Sequence, residues 1–142
     1  MKRLTVLGFM LSLCSSAGCH STTTSPNSTL VIVNAVSEVF QGTLDVKGST
    51  SYNFITGNAD PLRMTLASVT DPSTGAALTT TVTLGLGKPD GTTCVTTFST
   101  TTPASLVAQY LQVTSPGTYC VIVSDPGTLT KLVNFAVRII HS

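Results

Sequence analysis

Few side chains in this 142-residue sequence are suited to chemistry: Cys14, Cys19, Cys94, Cys120, His20, His141, Glu38 and five scattered aspartates. A structural zinc site needs four Cys or His ligands at short spacing. Beyond residue 20 only Cys94, Cys120 and His141 remain, so no metal or other cofactor is expected. Proton transfer most often recruits His or paired carboxylates, yet Glu38 has no acidic neighbour in sequence and His141 sits at what reads as a frayed C-terminus. The chain has no G-x-S-x-G, no H-E-x-x-H and no phosphate-cradling glycine loop followed by Lys. The reading is therefore of a protein that is not an enzyme, with a hydrolase whose site assembles only in space as an alternative. Sugar rings stack on exposed aromatics flanked by amides, and Tyr110 with Gln109 and Gln112 is the one local set of that kind. Asp45, Asp60, Asp71, Asp90 and Asp125 stand mostly beside Pro or Gly and read as turn formers.

Composition narrows the field. Charged residues make up 9% of the chain against roughly 25% in average soluble proteins, while 42% is hydrophobic. That much apolar surface supports a packed core and opposes disorder. The formal charge of +1 leans on Lys2 and Arg3. With those two removed the remainder is near neutral, and no nucleic acid partner is implied.

Residues 1–18 have the parts of an export signal: basic Lys2 and Arg3, an apolar run from Leu4 to Leu13, and the small residues Ser15, Ser16, Ala17 and Gly18. The run is too short to span a bilayer as a helix. "SAGC" resembles a bacterial lipobox, in which small residues precede a cysteine that is diacylated and becomes the mature N-terminus. Cys19 is the matching position, whereas bulky Leu13 excludes Cys14. Ser16 departs from the Leu usual three residues before the cysteine; the alternative is that ordinary signal peptidase reads "SSA", with Ser15 and Ala17 as the small pair, and cuts after Ala17. Lipidation implies an envelope protein held to a membrane, and His20, where an inner-membrane retention signal has Asp, points to the outer one. The other outcome is a periplasmic or secreted protein. Residues 19–29 are rich in Ser and Thr and read as a tether.

From residue 30 to 142 the apolar period is two, interrupted by turn signals such as "TDPSTG", "KPDGTT" and "SDPGT". Leu44 and Val46, Tyr52 and Phe54, Leu62, Met64 and Leu66, Val82, Leu84 and Leu86, and Val133 to Ile139 each present one apolar face. "PASLVAQYLQV" from Pro103 mixes periods and reads as a further strand. The expectation is a single all-β domain, an antiparallel sandwich or barrel. In an exported domain the even pair Cys94 and Cys120 reads as a disulfide.

The order "GTLDVKGSTSYNF", "PLRMTLASV", "VTLGLGKPDGTTC", "SPGTYCVIVSDPG" and "VNFAVRI" resembles bacterial pre-peptidase C-terminal domains. The resemblance spans about residues 38 to 140. It implies a β-sandwich of jelly-roll type, with about eight strands, of the sort appended to secreted hydrolases. The function implied is that of a binding or structural module for an envelope protein or secreted hydrolase. A carbohydrate-binding module is the alternative.

If Cys19 carries the lipid, several acyl chains at about 0.8 kcal/mol per buried CH₂ hold the protein to its membrane. Cys19→Ala is then expected to move the protein from the membrane pellet to the soluble fraction. Unchanged partition on ultracentrifugation would refute it.

Overall fold

The computed structural model describes residues 34–142; the expected leader, Cys19 and the tether lie outside the described residues. Eight strands follow in order: β1 (Val36–Leu44), β2 (Ser49–Thr56), β3 (Pro61–Thr70), β4 (Val82–Asp90), β5 (Thr93–Thr102), β6 (Tyr110–Val113), β7 (Gly117–Ser124) and β8 (Val133–His141). They form two antiparallel four-stranded sheets, β1-β8-β3-β6 and β2-β7-β4-β5. This is a jelly roll: β1 pairs β8, β2 pairs β7, β3 pairs β6 and β4 pairs β5, as in one long ribbon. Rolling the ribbon brings β8 against β3 and β7 against β4.

The alternation seen in sequence decides which residues fill the sandwich. Leu62, Met64 and Leu66 of the first sheet meet Leu84, Leu86 and Val121 of the second, all at most 2% exposed. Rings bridge the sheets at one end, where Phe40 stacks on Tyr52 at 5.2 Å and Phe135 meets Tyr52 edge-on at 6.4 Å, while Phe54 stacks on its cross-strand neighbour Tyr119 within the second sheet at 5.9 Å. Such pairs add roughly 0.5–1.5 kcal/mol each beyond their burial.

Three local expectations fail for identifiable reasons. Val46 belongs to no strand, because Asp45 to Gly48 make a tight turn in which Lys47 takes a φ of 57°. Asp125 stabilises that conformation, its Oδ2 accepting the Lys47 N–H at 2.8 Å. The segment after Pro103 is strand only from Tyr110, since residues 103–109 carry the chain from the second sheet to the first. The C-terminus is not frayed: His141 pairs with Val36 and is 4% exposed.

A close approach on the outer face of the second sheet depends on two glycines. Leu84 and Leu86 point inward, so Gly85 and Gly87 face out. A β-bulge shifts the β4/β5 register between Leu86 and Gly87, and the start of β5 folds over Gly87. An added Cβ at Gly87 would lie 2.1 Å from the Val95 carbonyl oxygen, and one at Gly85 2.6 Å from Ile122 Cγ2. The same fold-over brings Cys94 of β5 to Cys120 of β7 across the intervening β4, and the two are joined by a disulfide. Cross-linking residues 26 apart contributes about 3 kcal/mol on the loop-entropy account.

Gly87→Ala is expected to destabilise the fold by about 2 kcal/mol or more, because the obstruction is backbone and cannot rotate away. Gly57→Ala is the control, its nearest neighbour lying 3.7 Å from the added carbon. Urea unfolding of the two variants checks this; equal midpoints would remove Gly87 from the account.

Candidate functional site

The aromatic and amide set nominated by sequence is held largely by the protein itself. Tyr110 packs its ring on Phe98 at 4.7 Å between centroids, and its hydroxyl lies 3.4 Å from Gln112 Oε1. Burial, with a smaller contribution from Tyr119, pushes its phenol above the ordinary value. Gln109 turns the other way: its Oε1 accepts the Leu66 N–H at 2.8 Å, and its own N–H bonds the Met64 carbonyl. This amide therefore extends the edge ladder of β3 past Met64, just ahead of the first residue of β6. Only Gln112 of the three is exposed.

Two groupings not visible in sequence appear. At the end of the sandwich where β3 runs into the loop, Asp71 is 7% exposed and accepts four hydrogen bonds. Lys131 bonds Oδ2, while Oδ1 takes the Ser73 hydroxyl at 2.5 Å, the Ser73 N–H at 2.8 Å and the Thr74 N–H at 3.2 Å. The Lys131 ammonium first, and the Ser73 bonds next, hold this carboxyl well below the usual range. A group so fixed as an anion is unsuited to carrying protons at neutral pH. Beside it opens a cleft of about 320 Å³ with Leu78 and Leu129 at its floor and Thr79, Thr80 and Thr130 at its rim. Sequence showed Asp71 as a turn former, which it is; the Lys131 partner, 60 residues away, left no local signal.

The second grouping joins the ends of the domain. His141 Nε2 donates to Glu38 Oε1 at 2.7 Å, and its ring packs on Phe54 at 5.5 Å. The remaining nitrogen lies 3.4 Å from the Ser142 carbonyl oxygen. The imidazole is buried and both nitrogens face protein acceptors, so the pair clasps the start of β1 to the end of β8.

Asp125 behaves like Asp71. Partial loss of hydration pushes its carboxyl up, but backbone N–H groups of Lys47, Leu129, Gly127 and Thr128 together bring it below the ordinary value. It thereby ties the loop after β7 to the turn after β1. Among the described residues no group of three or more His, Cys, Asp or Glu is placed to hold a metal ion.

A different feature marks a surface. Leu106, Val107, Leu111 and Val113 are 90%, 74%, 43% and 58% exposed, and all lie on β6 or the loop that leads into it. β6 is the outer strand of its sheet, so these side chains flank an open backbone edge. Nothing local in the sequence marks this edge, because the same apolar letters read equally well as core.

No protein-family model matches the chain, and no curated protein is significantly similar to it.

Because the folded Asp71 carboxyl is more acidic than in the unfolded chain, its contribution is present above the unfolded value of about 3.9. It is lost as the pH falls below that value. Asp71→Asn should therefore lower the Tm at pH 7, with a gap from wild type that narrows steadily below about pH 4. Thermal unfolding by circular dichroism checks the sign. A gap independent of pH would show that the charge is not what matters.

Proposed function

We propose that this chain is a non-catalytic lipoprotein of the bacterial cell envelope whose jelly roll serves as a binding module for an envelope protein or secreted hydrolase. The observation that carries the reading is the apolar edge at β6. Folded domains rarely leave four large apolar side chains together in water unless something covers them. Here two project into solvent from the loop before β6, Leu106 being 90% and Val107 74% exposed. Open strand edges also accept an extended segment from a partner, with backbone hydrogen bonds for affinity and flanking apolar residues for selectivity. The basic, apolar and small-residue order of residues 1–18, followed by Cys19 and the Ser/Thr-rich segment, supports an anchored location. The resemblance to pre-peptidase C-terminal domains supports an accessory role.

A photo-crosslinking residue at Val107 of the membrane-bound chain is expected to capture a discrete partner protein. Leu106→Asp, made in that crosslinking chain, should abolish capture while changing stability by no more than about 0.5 kcal/mol, as expected for an exposed site. Absence of any adduct, or capture unaffected by Leu106→Asp, would sink the reading.

A further inference from the structure

We propose that the outer face of the β1-β8-β3-β6 sheet carries a binding trough for a neutral saccharide chain, at the end of that sheet away from the β6 edge. The trough is a hollow of about 440 Å³ spanning β1, β8 and β3. Two cross-strand rows build it, Gln41–Ala136–Ser68 and Thr43–Asn134–Thr70. Ala136 at the centre leaves the floor low. The outer strands stand about 9.6 Å apart, twice the ordinary strand spacing, which suits the width of a sugar ring.

A β-bulge makes this lining. The β3/β8 register shifts between Leu66 and Ser68, so Ala67 has no partner. Were Ala67 paired in strict alternation instead of bulged, the parity of β3 beyond Leu66 would be reversed: Val69 would face solvent, and Ser68 and Thr70 the core. Instead Val69 is 1% exposed, and two hydroxyls line the trough. Bulges commonly re-aim side chains at sites of function.

The chemistry of the lining selects the ligand. The side chains of Gln41, Thr43, Ser68, Thr70 and Asn134 make no hydrogen bond to the protein, whereas the carboxylates of Asp71 and Asp125 are held by the protein's own donors. Amides and hydroxyls offer both donors and acceptors, matching the alternating capacity of sugar hydroxyls. No charged residue lines the hollow, so it offers no counter-charge for an acidic or basic polymer. Ser68 also borders a second hollow of about 500 Å³ with Ala67, Ala77, Thr79 and Pro103, which continues the trough across the sheet and favours a chain over a single sugar. On the outer face of the other sheet β5 and the Cys94–Cys120 bond cover Gly87, and the hollow of about 340 Å³ beside them has the bulky Ile122 and the disulfide's Cys94 in its lining where this trough has Ala136.

This inference does not rest on the protein-partner reading, since the residues differ. Its test is calorimetric titration of the full chain in detergent micelles with cellohexaose, maltohexaose and chitohexaose, and with hexagalacturonate as the acidic comparison. At least one neutral hexasaccharide is expected to bind, and more tightly than hexagalacturonate. Ala136→Trp, which fills the trough from an outward position, and Asn134→Ala should each weaken binding about tenfold at unchanged Tm. Asn134→Ala decides the matter if the tryptophan variant does not fold. The proposal is overturned if no neutral hexasaccharide binds at millimolar concentration, if hexagalacturonate binds best, or if a folded variant binds as wild type does. Leu106→Asp should leave the titration unchanged, so failure of the crosslinking reading and failure of this one are separable.

Discussion

The structure depends on a place where one strand is allowed to touch another's bare backbone. β4 alternates Leu84 and Leu86, fully committed to the core, with Gly85 and Gly87, which present no side chain at all. The leucines hold the second sheet to the first. The glycines let the β4–β5 hairpin curl over its own sheet, closely enough for Cys94 to reach Cys120 beyond β4. Hydrophobic burial, a bulge and a covalent bond thus act on the same few residues. The disulfide cannot be understood as joining neighbouring strands, because β5 and β7 are not neighbours. It reports a curvature that the glycines permit.

Low charge explains where the polar groups go. A sandwich of this size keeps soluble faces with hydroxyls when carboxylates and amines are scarce, and Thr suits that role because it also fits a pleated strand. The few charged and amide groups are spent at the ends. Asp71 and Asp125 each gather backbone N–H groups from a turn, and each also ties its turn to a distant segment. Gln109 substitutes for a missing strand partner, and Glu38 clasps His141. These groups organise loops that would otherwise leave buried backbone donors unmet.

What was legible in sequence follows from period two. Strands with a clean alternation, such as Val133 to Ile139 and Val82 to Leu86, sit in the structure as their pattern requires. The pattern misleads where parity changes or the chain leaves a sheet. Val46 continues the alternation of Leu44 in letters only, because Lys47 has turned to positive φ under the pull of an aspartate 78 residues later. The bulge at Ala67 reverses the parity of β3, so the facing of Ser68, Val69 and Thr70 was open to two readings until β8 was beside them. The nominated set of Tyr110, Gln109 and Gln112 was legible as neighbours but not as orientations. Adjacent residues on a strand face opposite ways, and Gln109 lies just before the strand begins. The Glu38 and His141 contact, spanning 103 residues, has no local trace.

A trough without an aromatic platform binds weakly. Its lining supplies hydrogen bonds that must displace equally good bonds to water, so each contributes only about 0.5–1.5 kcal/mol. A single copy meeting a single chain would gain little. Presentation on a membrane changes the arithmetic, since many copies facing a polymer of repeated units convert later contacts into local ones at high effective concentration. Rigid strands and a covalently pinned opposite sheet keep the ordering cost of each contact low. In the proposed anchored state, weak recognition by the sheet face and retention through the leader cysteine would thus be complementary, and the neutral lining would keep contact with the polymer insensitive to salt.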